Sequence, residues 1–111
     1  MIFTSAHVRM IVRGAKTQTR RVSPRQRWFV GRRYSLQTSY SCKALGFIEI
    51  DSIRQEPLGV ISTKDAMAEG GYTPDEFIGL FESLHERHGC VRSTPVWVLT
   101  FHYVGEEAPA P

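Results

Sequence analysis

A chain of 111 residues holds one compact domain and is too short for two ordinary ones, and its 41% hydrophobic and 23% charged content is that of a folded chain. The net charge of +3 conceals an asymmetry: residues 1–46 carry ten Lys or Arg and no Asp or Glu, whereas residues 47–111 carry four cations against eleven acids, which predicts a basic face that draws phosphate backbones. No apolar run reaches the roughly 20 residues of a membrane-spanning helix and no long apolar stretch opens the chain, so the expectation is a cytoplasmic protein with no membrane partner.

In chain order, Ile2-Phe3 reads as a short strand, after which Thr4 or Ser5 can cap a helix. Val8, Ile11 and Val12 recur at helical spacing until Gly14, which suits a left-handed C-terminal cap. Residues 15–27 show no apolar periodicity, carry five cations and contain Pro24, and are expected to form a basic loop. Tyr34 to Thr38 alternates as a half-buried strand does. From Lys43 to Ile53 the pattern is again that of a strand, or of a bent pair continuing to Leu58, with Pro57 and Gly59 as terminators. Ser62 or Thr63 opens a second helix that halts at Gly70-Gly71. Thr73-Pro74-Asp75-Glu76 is a capping box with Pro at the first helical position, and Phe77, Leu80, Phe81 and Leu84 form the stripe of a third helix. Residues 94–104 are rich in β-branched and aromatic side chains and close the sheet. The order predicts an α+β domain over residues 1–104, followed by a flexible tail over 105–111.

Three motifs carry chemistry on paper. Gly14-Ala15-Lys16-Thr17 invites a phosphate-loop reading but fails it, because that loop places Gly directly before its Lys, where Ala15 stands. His85-x-x-His88-x-Cys90 offers metal-ligand side chains without a second pair elsewhere, and it reads as the polar end of a helix; no metal or cofactor is expected, and Cys42 and Cys90 read as free thiols. Lys16 with Thr17 and Thr19 is the remaining cluster, since a buried lysine beside a hydroxyl can activate it when a carboxylate orients the pair. Around it, Trp28 flanked by Arg25, Arg27, Arg32 and Arg33 is a stacking candidate, and together with Arg20 these form the expected nucleic-acid surface. Tyr40 and Tyr72 are loop aromatics able to line a pocket.

The helix ending in Gly, the run Gly14-x-Lys16-Thr17-x-Thr19-x-Arg21, Val30-Gly31, Ile50-x-x-Ile53 with Pro57-Leu58-Gly59, Asp65-Ala66-x-Ala68-Glu69-Gly70 and the closing Val96-Trp97-Val98 together resemble the ASCH domains of the PUA-like superfamily. That resemblance spans almost the whole chain. It implies a small bent β-barrel of about five or six mostly antiparallel strands with two or three flanking helices. It also implies an RNA link, or a modified pyrimidine nucleoside as ligand. Some small members remove the acyl group from N4-acetylcytidine, and the residues that carry over are Lys16, Thr19 and Glu69. Thr19 then attacks the amide carbonyl, Lys16 takes its proton or stabilises the oxyanion, and Glu69 positions Lys16 or protonates the leaving amine. Thr17, Arg21, Tyr40 and Tyr72 are the ligand-binding candidates, Arg21 for a pyrimidine carbonyl or a phosphate. The alternatives are a non-catalytic RNA-binding module and a ribonuclease with Lys16 and His7 as acid–base groups. The chain departs from the usual pattern in its basic stretch from Arg20 to Arg33 and in the doubled Gly70-Gly71.

Overall fold

The computed structural model describes residues 1–106. Three helix starts follow from the capping residues. Thr4, Ser62 and Thr73 accept the amides of His7, Asp65 and Glu76, which satisfies donors that a first turn leaves unpaired. They open α1 (Ser5–Val12), α2 (Thr63–Gly70) and α3 (Pro74–Leu84); at Thr73 the Glu76 carboxylate returns the bond and completes the capping box. Gly14 follows α1 at a φ of 78°, and Gly71 caps α2 at 85°, both in the left-handed region that only glycine occupies cheaply.

Four strands complete the fold: β1 (Gln18–Arg21), β2 (Arg33–Leu36), β3 (Gly46–Pro57) and β4 (Pro95–Gly105). They form one antiparallel sheet in the order β1-β4-β3-β2. The long β3–β4 pair shifts register between Ile50 and Ser52, which leaves Asp51 without an opposite residue and bends the sheet as β-bulges do. Ile2 adds a parallel bridge to Gln37 just beyond β2.

The expected barrel is not what forms. The sheet is open, with β1 and β2 on opposite edges, and the segment joining them, 22–32, supplies no strand. The α+β class holds, and β3 is one continuous bulged strand rather than a pair. β1 falls inside the stretch expected to be a basic loop. Its residues Gln18, Thr19, Arg20 and Arg21 are all polar, so no hydrophobic alternation marks it; its partner is Gln18-to-Arg21 against Trp97-to-Thr100 of β4. The tail expected from residue 105 coincides at Gly105 with the last residue of β4, and residues 107–111 lie outside the described residues.

β4 serves both faces of the sheet. Val96 and Val98 belong to a core with Phe77, Ile78 and Phe81 of α3 and Ala66 of α2. Leu99 and Phe101 belong to another with Val8 and Ile11 of α1, Leu36, Ile48 and Ile50. Residues opposed in an antiparallel pair share a face. Thr19 and Arg21, opposite Leu99 and Trp97, therefore lie toward α1, while Arg20, opposite Val98, lies toward α2 and α3. The edge strand thus delivers functional side chains to two sides at once.

Candidate functional site: a cleft beside strand β1

A cleft of about 450 Å³ lies alongside β1. Helix α1 contributes His7 and Met10, β1 contributes Thr19, Arg20 and Arg21, α2 contributes Glu69, and α3 contributes the apolar wall of Phe77, Leu80, Phe81 and Leu84; Lys16 and Tyr72 also line it, as do Ile2 and Phe3. Lys16, Thr19, Arg20 and Glu69 are buried, an unusual set for an interior, since each charge taken from water must be repaid by close partners.

The partners are present. Lys16 Nζ donates to the backbone oxygens of Gln18 (2.8 Å) and Glu69 (2.6 Å) and to Glu69 Oε1 (3.2 Å), which occupies all three of its protons. Glu69 Oε2 accepts from Arg20 Nη1 at 2.9 Å. Both carboxylate oxygens are therefore held by cations. Burial pulls the Lys16 pKa below its ordinary value of 10.5, and the nearby Glu69 carboxylate opposes that pull. Thr19 Oγ1 accepts from Arg21 Nε at 3.3 Å, and among the described residues no hydrogen bond joins it to Lys16 Nζ. Arg21 also donates to the Ile2 carbonyl (2.9 Å), and its guanidinium lies 4.8 Å from the Phe3 ring centroid. On the opposite wall His7 Nε2 and the Tyr72 hydroxyl are 3.0 Å apart. Burial first, and then the positive charge of Lys16, lowers the His7 pKa from its ordinary 6.5, while burial raises that of Tyr72. A neutral imidazole beside a protonated phenol results, and the two share one hydrogen bond whose donor is set by the imidazole tautomer.

The structure brings Lys16, Thr19, Glu69, Arg21 and Tyr72 to one cleft. It separates two other candidates from it. Tyr40 is 94% exposed in a turn and is not among the cleft-lining residues. Thr17 bonds through its backbone, its amide to Ala68 and its carbonyl to Phe101, and it lines a smaller hollow of about 310 Å³ beside the end of α1.

The expected cationic surface divides likewise. Arg20 does not belong to it, because its side chain is 0% exposed and pairs with Glu56, Asp65 and Glu69. Arg33 pairs with Glu49 at 3.0 Å across β2 and β3, and Arg32 covers the Phe29 ring at 4.7 Å. Trp28 is half-buried and packs against the α1-side core, which leaves less of its ring for stacking. Arg25 and Arg27 are exposed and, among the described residues, enter no ion pair. Residue reading missed the part played by Gln18, Glu56 and Asp65 around Arg20, and the α3 wall. The signal available was the run Asp65-x-x-x-Glu69, which puts two carboxylates on one helical face with no cation of its own helix at i+4 from either.

No family model and no curated protein matches the sequence. Solved structures do. A protein of Enterococcus faecalis V583 assigned to the DUF984 family superposes with a TM-score of 0.75 at 19% identity, over 94% of this chain and 74% of that one. The ASCH domain of Lactobacillus crispatus JV V101 gives 0.69 at 17% identity, over 87% and 69%. A mutant of the Zymomonas mobilis ASCH protein gives 0.68 at 13% identity, over 92% and 66%. Identities this low speak to architecture, and on that ground the chain has the fold of the ASCH domains.

Proposed function

We propose that the cleft binds an N-acylated pyrimidine, of the N4-acetylcytidine kind, and hydrolyses its amide. The observation that carries this reading is the convergence of Lys16, Thr19 and Glu69 on one cleft with Lys16 and Glu69 in buried contact. Thr19 Oγ attacks the acyl carbon. Lys16, whose pKa burial lowers, takes the hydroxyl proton when in its neutral form and passes it to the departing amino nitrogen as the carbon–nitrogen bond breaks. Water then attacks the Thr19 ester, and Lys16 relays its proton back to Thr19 Oγ. Arg21, already bonded to Thr19 Oγ1, faces the negative charge that develops at the carbonyl oxygen. With cations on both oxygens, Glu69 acts as an ionised anchor for Lys16 rather than as a proton donor to the amine. The apolar wall from α3 gives the flat base and its acyl group a surface to lie on.

The test is incubation of purified protein with N4-acetylcytidine and chromatographic measurement of cytidine. Turnover that falls about 100-fold or more in Thr19→Ala and in Lys16→Met supports the reading. An inert unmutated protein, or turnover indifferent to both substitutions, removes it.

A second reading, RNA binding without chemistry, draws on Arg25 and Arg27, which are exposed and enter no ion pair among the described residues. Charge removal at both weakens RNA binding across all sequences alike if they contact phosphate, whereas binding indifferent to them and to salt excludes it.

A further inference from the structure

Within Gly14-x-Lys16-Thr17-x-Thr19-x-Arg21 the residue between Thr19 and Arg21 is unconstrained by the signature, and here it is Arg20. Its guanidinium is fully buried and grips four acceptors. Nη1 donates to Glu69 Oε2 (2.9 Å) and Gln18 Oε1 (3.0 Å), and Nη2 to Glu56 Oε1 and Asp65 Oδ2 (3.3 Å). The acceptors are themselves tied: Gln18 Nε2 donates to Asp65 Oδ1 at 3.0 Å, and Arg54 to Asp65 Oδ2 at 2.7 Å.

A carboxylate held at one oxygen can swing about its last torsion, whereas one held at both is fixed in plane and direction. Lys16 holds one oxygen of Glu69 and Arg20 holds the other. We propose that Arg20 is the positioning residue of this cleft: its planar fork fixes Glu69 so that Oε1 aims at Lys16 and keeps the ammonium in place between β1 and α2. Glu56 and Asp65 hold the far side of the fork and stop it from turning away. A lysine cannot substitute, because one ammonium nitrogen on a flexible stem cannot reach both the Glu69 and Gln18 oxygens held by Nη1 and the Glu56 and Asp65 oxygens held by Nη2. Arg20 acts through Glu69 and is not assigned any contact with substrate. Its consequence for turnover rests on the hydrolase reading; its geometric effect does not.

The experiment is a double-mutant cycle on the full chain, with Arg20→Lys, Glu69→Gln and their combination, and Ile48→Val as a control that loosens the α1-side core without touching the cleft. The first readout is the ¹⁵N–¹H resonance of the Lys16 ammonium, assigned by its loss in Lys16→Met. Positioning requires that Arg20→Lys displace it, that Arg20→Lys add nothing on the Glu69→Gln background, and that Ile48→Val leave it alone. A resonance unmoved by Arg20→Lys, or moved equally by Ile48→Val, overturns the proposal. The second readout is hydrolysis of N4-acetylcytidine, where kcat falls about tenfold in Arg20→Lys with KM within about twofold, and the loss disappears once Glu69 is Gln. A loss that persists undiminished on that background also overturns it. If the unmutated protein is inert, the hydrolase reading fails and the ammonium resonance alone decides the positioning. Should Arg20→Lys not fold, the unmutated chain decides: a guanidinium gripped at four points gives separate, slowly exchanging Nη–H signals at low temperature, and one averaged signal refutes the grip.

Discussion

Glu69→Gln removes one negative charge from between two buried cations while preserving size. The two cations do not suffer equally. Arg20 retains Glu56 and Asp65, but Lys16 has no ion-pair partner other than Glu69 among the described residues. Breaking a buried pair by deleting one partner costs about 3–5 kcal/mol, and the two backbone oxygens that remain around Lys16 place the expected loss near the lower end, about 3 kcal/mol. For a domain of this size that lowers the melting temperature by about 10–15 °C. The mirror substitution is milder: Lys16→Met leaves Glu69 with Arg20, so about 1–2 kcal/mol is expected. The sign of the pH dependence is also fixed. Lys16 has a folded pKa below 10.5, so above the folded pKa the unfolded chain binds more protons than the native one, and stability contributed by this group rises with pH up to 10.5. Without Glu69 the folded pKa drops further, the window widens toward neutrality, and Glu69→Gln recovers stability on raising the pH more than the unmutated protein does. Chemical denaturation across pH 6 to 10 for the three proteins measures all of this. If Lys16→Met costs as much as Glu69→Gln, or if Glu69→Gln gains nothing at high pH, the assignment of Glu69 as sole counter-ion of Lys16 is wrong.

Two further outcomes follow from single groups. His7 titrates in the folded chain below its ordinary 6.5, so stability is full above that value and declines as the pH falls from 6.5 toward the folded pKa, the unfolded chain taking the proton first; His7→Asn flattens that limb of a stability–pH curve, and an unchanged limb would place the imidazole in water. Thr73→Ala removes the acceptor for the Glu76 amide and half of the capping box, for an expected loss of about 1 kcal/mol by denaturant titration, and a neutral effect would mean that α3 is set by its packing alone.

The helices were legible because capping residues and apolar stripes are local signals: Thr4, Ser62 and Thr73 announce them, and Gly14 and Gly71 end their reach. β4 was legible from its β-branched and aromatic content. β1 was not, because its buried residues are polar and the carboxylates that neutralise Arg20, from Glu56, Asp65 and Glu69, arrive more than 30 residues later in the chain. The same long-range pairing hides the difference between Arg20 and Arg25 or Arg27, which look alike in sequence and differ completely in burial. Lys16 and Thr19 stood out in the residues themselves as a lysine beside hydroxyls, whereas Glu69 was found only through the motif it resembles. Closure of the sheet was misjudged because whether the first and last strands of a sheet meet depends on strand count and tilt, which no local pattern encodes.

The charge asymmetry of the chain has two components with different physical consequences. Lys16, Arg20 and Arg33 spend their charge on Glu69, Glu56, Asp65 and Glu49, and Arg21 is largely buried against the Ile2 carbonyl and the Phe3 ring. Arg9, Arg13, Arg25, Arg27, Arg32 and Lys43 remain exposed, and of these only Arg25, Arg27 and Arg32 share one loop. A polyanion meets that loop with three charges, not ten. Counterion release from single-stranded RNA gives a slope of about −0.7 per phosphate neutralised in a plot of log affinity against log salt, so binding through the loop alone yields about −2, and engagement of all ten basic residues would yield about −7. Fluorescence anisotropy of a labelled oligoribonucleotide across a salt series distinguishes the two. A slope near −7 would require Lys16 and Arg20 to leave their partners and face solvent, which the buried ion pairs of Glu69 forbid in the folded chain.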